Sequence, residues 1–144
     1  MTHLRGRVMA LDVGERRVGV AMSDLSQTLA TPYTTLHAHP QAVLFQKIQQ
    51  LIVKEEVVEL VIGLPISLNG QEGPQAQRIR QFIAAIATCV SVPLHTCDER
   101  YTTAEAQRVM IEAGLRPEQR KAKIDEVAAS IILQDYLNQQ QHNE

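Results

Sequence analysis

The run Arg7-Val8-Met9-Ala10-Leu11-Asp12-Val13, then Gly14-Glu15-Arg16-Arg17, then Val18-Gly19-Val20-Ala21-Met22-Ser23, decides the reading of the fold. Residues 7–13 are almost continuously apolar, the pattern of a strand covered on both faces rather than one face wetted. Gly14 to Arg17 has turn chemistry, and 18–23 reads as the returning strand of a hairpin. Residues 30–36 supply a third strand, with Pro32 placing it at a sheet edge, where a missing donor is tolerated. Downstream the period changes. Leu44, Phe45, Ile48, Leu51 and Ile52 fall at helical spacing over 41–56. Val57 to Leu64 is a fourth strand stopped by Pro65, and the polar stretch 67–73 is a loop. Pro74 opens a second helix with Ile79, Phe82, Ile83, Ile86 and Val90 as its stripe. A fifth strand is expected over Val92 to Cys97. Thr102 and Glu105 have the spacing of a capping box, Gly114 suits a helix C-cap, and Pro117 begins a last helix. The apolar set expected there is Ile124, Val127, Ala128, Ile131 and Leu137. The order β-β-β-α-β-α-β-α-α predicts an α/β domain with a mixed sheet flanked by helices.

The chain has 144 residues, a length that suits one domain with a full core. We expect that domain over 1–138, with 139–144 as a polar tail. With 44% hydrophobic and 21% charged residues it is neither disordered nor collagen-like. No apolar run approaches the roughly 18 residues of a membrane span, and no signal peptide is apparent at residues 1–7. The expectation is a cytoplasmic protein without a membrane partner. Cys89 and Cys97 read as plain thiols, since no CxxC or paired histidines accompany them. His37, His39 and His95 are given no catalytic or metal role. The net charge of −2 supplies no global attraction for nucleic acid, yet ten of the fourteen basic residues are arginine and most are clustered.

Three acidic spots stand out. Asp12 interrupts an apolar strand, where a carboxylate is costly unless it caps a turn, meets a cation or binds a metal. Asp98-Glu99 follows the fifth strand, so parallel first and fifth strands would bring both spots to the carboxyl edge, where α/β sheets place their sites. Position alone does not choose between Asp98 and Glu99. Asp125 borders the stripe of the last helix, sharing a face with Ala128, Ala129 and Ile132. Converging carboxylates without His or Cys are hard ligands suited to Mg²⁺ or Mn²⁺. A pair of such ions cleaves phosphodiesters, and the arginines would hold the strand.

Leu11-Asp12-Val13-Gly14-Glu15-Arg16-Arg17-Val18-Gly19-Val20-Ala21 resembles the opening motif of the YqgF (RuvX-like) family. Ile62-Gly63-Leu64-Pro65, Asp98-Glu99-Arg100-Tyr101-Thr102-Thr103 and Lys123-Ile124-Asp125-Glu126-Val127-Ala128-Ala129 resemble its later blocks, in the same order. The resemblance implies an RNase H-like fold with the first strand central in a five-stranded sheet. It implies a nuclease that matures the 5′ end of precursor 16S ribosomal RNA, on ribosomal particles, as a monomer or weak homodimer. Members have also been proposed as Holliday junction resolvases. The family's acids match Asp12, Glu99 and Asp125, so the resemblance selects Glu99 over Asp98. These three are the expected catalytic residues and metal ligands, for two Mg²⁺ or Mn²⁺ ions. Arg16, Arg17, Arg100, Lys121 and Lys123 are the expected substrate contacts, Arg100 alternatively orienting Glu99. Two other classes compete. Nucleotide phosphotransfer also uses a strand, an Asp-x-Gly turn and a returning strand, but needs a second domain. A non-catalytic RNA- or ribosome-binding module would keep the acids for structure alone.

Overall fold

A computed structural model describes residues 5–65, 70–99 and 102–142. Five strands, β1 (Arg7–Val13), β2 (Arg17–Ser23), β3 (Ala30–His37), β4 (Val57–Leu64) and β5 (Leu94–Asp98), form one sheet in the order β3-β2-β1-β4-β5. The helices are α1 (Gln41–Lys54), α2 (Pro74–Ala87), α3 (Thr102–Glu112) and α4 (Pro117–His142). β1 to β3 form an antiparallel meander, with Asp12 opposite Gly19 and the Gly14 N–H donating to the Arg17 carbonyl at 2.9 Å. That bond occupies the donor which a turn-capping Asp12 would have used. β1, β4 and β5 run parallel, so their carboxyl ends share one edge, as expected, and β1 lies at the centre.

Strand alternation divides the core in two. Met9, Leu11, Val18, Val20, Leu60, Ile62 and Leu64 face α1 and α2, whose Phe45 and Phe82 meet edge to face at 5.4 Å. Val8, Ala10, Ala21, Val61 and Cys97 face α4. The residues on the α4 side of the sheet are smaller, which lets that helix lie close.

Several expected boundaries move. β5 begins at Leu94 instead of Val92, because Pro93 offers no donor and its carbonyl instead accepts the Leu60 N–H at 3.0 Å. The helix α2 ends at Ala87, leaving Val90 beyond it. Gly114 has the positive φ of a C-cap glycine, as expected. The buried stripe of α4 is Ala128, Ala129, Ile132, Leu133, Tyr136 and Leu137, whereas Ile124, Val127 and Ile131 are half-buried. The helix also continues through His142, into the stretch 139–144 expected as a polar tail. Cys89 and Cys97 are free thiols, one exposed and one buried. The side chain of Thr102, and with it the capping box, lies outside the described residues, as does the 66–69 part of the polar loop.

Candidate active site

Asp12 has the parity of Val8 and Ala10, so its carboxyl emerges on the α4 side of β1, one residue before the strand ends. On β5 the buried Cys97 faces α4, and Glu99, two residues on, keeps that side. The Glu99 N–H donates to the Leu64 carbonyl at 3.0 Å, extending the β4–β5 ladder one residue past the strand. Asp98 has the opposite parity and is exposed. Strand alternation thus supplies the physical reason for preferring Glu99, which position in the sequence could not.

The Asp12 and Glu99 side chains are hydrogen-bonded to one another. Two carboxylates can do this only if one holds a proton, and both groups are displaced upward, burial being the largest cause for each. Burial is the largest cause for Glu99, followed by the charge of Asp12 and the bond between them. For Asp12, burial pushes upward, the bond from Glu99 pulls downward, and the charge of Asp125 pushes upward again. The donors here are carboxylate oxygens alone, the chemistry Mg²⁺ and Mn²⁺ take, and a cation replacing the shared proton would relieve the repulsion.

Asp125 reaches this place through a missing side chain. A Cβ at Gly19 would lie 2.0 Å from the Asp125 carbonyl oxygen and 2.9 Å from the Glu126 nitrogen. Only glycine therefore lets α4 cross β2 beside Asp12. The Asp125 carboxylate is held by Arg17, Nε to Oδ2 at 2.8 Å. Among the described residues no group of three acids, histidines or cysteines is already drawn together as a metal cage. The third acid stands beside the pair, turned to an arginine. A Cβ at Gly63 would meet the Glu99 Oε2 at 2.8 Å and Ile132 Cδ1 at 2.7 Å, so this strand residue leaves the space that Glu99 occupies.

Of the expected substrate contacts, Arg17 is thus at the site. Arg16 is exposed in the adjoining turn, its carbonyl accepting the Ala38 N–H at 2.8 Å. Lys121 and Lys123 are both exposed on α4. Lys121, four residues before Asp125, shares its side of the helix, while Lys123, two residues before, does not. Arg100 lies outside the described residues. His95 sits on the edge strand β5 with Nε2 3.4 Å from Glu59, remote from the acids' end of the sheet. Gly19 and Gly63 were missed as site-forming residues. For Gly19 the signal was present in its alternation and that of Ala21 with Val18, Val20 and Met22, which marks one face of β2 as small.

A five-stranded sheet of this order, with an acid on its central strand and a second at the end of β5, defines an RNase H-like α/β protein. The same fold is found in Thermus thermophilus RuvC in complex with a Holliday junction substrate (TM-score 0.57, 12% identity, 94% of this chain and 96% of that one). The Fowlpox virus resolvase bound to Holliday junction DNA is similar (TM-score 0.55, 10% identity, 93% and 98%). At these identities the likeness is one of fold.

The chain belongs to the RuvX family, described as Holliday junction resolvase, whose pattern matches residues 6–139. A Roseiflexus sp. (strain RS-1) relative is 52% identical over 135 residues, covering 94% of this chain and 96% of its own. One from Thermoanaerobacter pseudethanolicus is 44% identical over 137 residues, covering 94% and 99%. Both are named "Putative pre-16S rRNA nuclease".

Proposed function

We propose that this chain is a metal-dependent endonuclease that hydrolyses phosphodiester bonds and matures the 5′ end of precursor 16S rRNA. It would act in the cytoplasm on ribosomal precursor particles, as a monomer or weak homodimer, with residues 1–138 as the nuclease domain and 139–144 as a polar tail. The observation that carries this reading is the Asp12–Glu99 pair, two half-buried carboxyls packed together at the sheet's carboxyl edge. Repulsion of that kind weakens a fold and is kept where chemistry uses it. The names borne by relatives at 41–52% identity support the choice of RNA.

Asp12, Glu99 and Asp125 are the catalytic residues, and would hold Mg²⁺ or Mn²⁺, two ions in the full reading. When bound, the ions would activate the attacking water and take up charge on the leaving oxygen. The chain's own part is to orient. Asp12 is fixed by the central strand, Glu99 by its backbone bond to Leu64, and Asp125 by the contact of α4 with Gly19. Arg17 is placed to exchange Asp125 for a substrate phosphate. Arg16, Arg100, Lys121 and Lys123 complete the expected phosphate contacts, Lys121 being better placed than Lys123.

The family's description favours a second reading, in which the substrate is a four-way DNA junction. One experiment separates the two. Purified protein with Mg²⁺ or Mn²⁺ is given a labelled precursor 16S rRNA fragment and a labelled four-way junction, with Asp12→Asn protein in parallel. RNA cleavage lost in the variant is the expected result, and junction cleavage lost in the variant would transfer the reading to a resolvase. If neither is cut while both proteins bind the RNA, the chain is a binding module.

A further inference from the structure

Val13 follows Asp12 on β1, so its side chain emerges on the opposite face of the sheet, and there it lines a second hollow. This pocket, about 480 Å³, opens between the β1–β2 turn, the start of α1 and α2. Ligand pockets run roughly 300–1,000 Å³, so it is large enough to be one. Its floor is apolar, formed by Val13, Ile79, Phe82 and Ala85. Its rim carries the amides of Gln41, Gln75 and Gln81, together with Arg78. None of these residues belongs to the acid site.

The combination is specific in its chemistry. An apolar floor of this size accepts a flat ring system by burying its faces, with the half-buried Val13 and Ala85 and the edge of the core residue Phe82 beneath it. Carboxamides offer a donor and an acceptor each, which matches the edges of nucleobases. Arg78 adds a phosphate partner. At present it spans the mouth to Glu15, but both side chains are more than half exposed, at 55% and 73%. Exposed pairs of this kind are weak, so Arg78 can exchange Glu15 for a phosphate. Glu15 is the acid on the lining, at 73% exposure free to turn to solvent, and the first turns of α1 and α2 add none.

Location ties the pocket to the cut. Asp12 and Val13 are neighbours at the end of β1, so the acids and the pocket flank the same sheet edge, and a strand crossing that edge can meet both. We propose that this pocket receives the base of an unstacked nucleotide next to the phosphodiester placed at Asp12 and Glu99. The inference rests on the nuclease reading above and sharpens it. The substrate must be single-stranded on one side of the cut, since a base held in a duplex cannot turn into a pocket on the far face of the sheet.

The test is an abasic scan. A labelled precursor 16S rRNA strand is prepared with one base removed at a time around the cut. Binding is read by fluorescence anisotropy with Mg²⁺, in an Asp12→Asn background that prevents turnover. We expect one abasic position to weaken binding by about tenfold, the scale of one lost base contact. On the intact strand Gln81→Ala and Ala85→Phe should each weaken binding similarly, and on that abasic strand neither should weaken it further. Gln81 is exposed, so its variant keeps the test valid if Ala85→Phe fails to fold. A flat scan, or equal losses on intact and abasic strands, would overturn the pocket assignment. Cleavage of the intact strand by protein with Asp12 present is read separately. Cleavage with a flat scan sinks only the pocket, and a base-dependent scan without cleavage sinks only the nuclease.

Discussion

Asp12 and Glu99 are held together although both would be more stable apart, and this has a measurable signature in the metal-free protein. Glu99 is pushed up to about 9 in the folded chain, by burial first and by Asp12 second. A carboxyl raised on folding contributes stability that is fully present below its unfolded value near 4.5 and is lost as pH rises through the folded value. Metal-free protein should therefore lose stability steadily between about pH 5 and pH 9. Glu99→Gln should flatten that slope in urea melts. It should also stabilise the metal-free chain at pH 9 by at least ~1.4 kcal/mol, the worth of one pKa unit, while abolishing cleavage. A variant less stable than wild type at pH 9 would show that the pair is not repulsive. Mg²⁺ or Mn²⁺ should raise the melting temperature of wild type more than that of the variant. Arg17 tests the neighbouring contact. Its side chain is 51% exposed, so Arg17→Ala should change stability by less than about 1 kcal/mol. Loss of RNA affinity without loss of stability would identify it as a phosphate contact. Asp12 was legible in the sequence as an acid inside an apolar strand. Glu99 was not separable from Asp98 there, because the choice depends on which face each presents, and that is fixed by the pairing of Cys97 with Gly63 on the side that α4 covers.

Elements meet at the site through two glycines, and their substitution should separate packing from chemistry. At Gly19 the obstacle to a Cβ is the α4 backbone, which cannot rotate aside. Gly19→Ala should cost roughly 3 kcal/mol or more, the upper range for overpacking, as α4 is pushed off β2. At Gly63 the neighbours are the movable ends of Glu99 and Ile132. Gly63→Ala should cost only about 1 kcal/mol, yet reduce cleavage well beyond that loss because Glu99 must leave its place. Denaturant melts and single-turnover cleavage measured on both variants check the contrast. Equal stability losses would contradict it. The same close approach explains why the stripe of α4 was read only in part, with Ala128 and Leu137 placed correctly and Ala129, Ile132, Leu133 and Tyr136 left out of it. Where α4 crosses closest to the sheet its contact residues are Ala128 and Ala129, followed by Ile132, Leu133, Tyr136 and Leu137, while Ile124, Val127 and Ile131 fall to the flanks. Apolar residues occur on both the buried face and its flank, so the period alone does not fix which of them turns to the sheet. By contrast the strands of the meander and α1 were legible, since their alternation or helical period is set by side chains large enough to reveal it.

For the molecule as a whole, the net charge of −2 means that binding must come from where the cations lie. Arg16 and Arg17 stand beside the acids and Arg78 across the sheet edge from them, so a strand crossing that edge can meet all three. Each phosphate neutralised on a single strand contributes a slope of about −0.7 to log K against log salt. Contacts to three arginines predict a slope of roughly −2, modest for a nucleic-acid protein and far below that of a basic groove. Arg17→Ala and Arg78→Ala should each flatten it by about 0.7. Lys54→Ala, at the far end of α1, should leave it unchanged. A much steeper slope that neither arginine variant alters would place the strand on another surface, such as the α4 lysines. The divalent ion enters the same balance. With two or three carboxylates at the edge, the metal-free protein repels the phosphate that its arginines attract. Binding measured with EDTA should therefore be weaker than with Mg²⁺ at equal ionic strength, and Asp12→Asn should close most of that gap. If EDTA leaves the affinity of wild type unchanged, the strand does not pass over the acids.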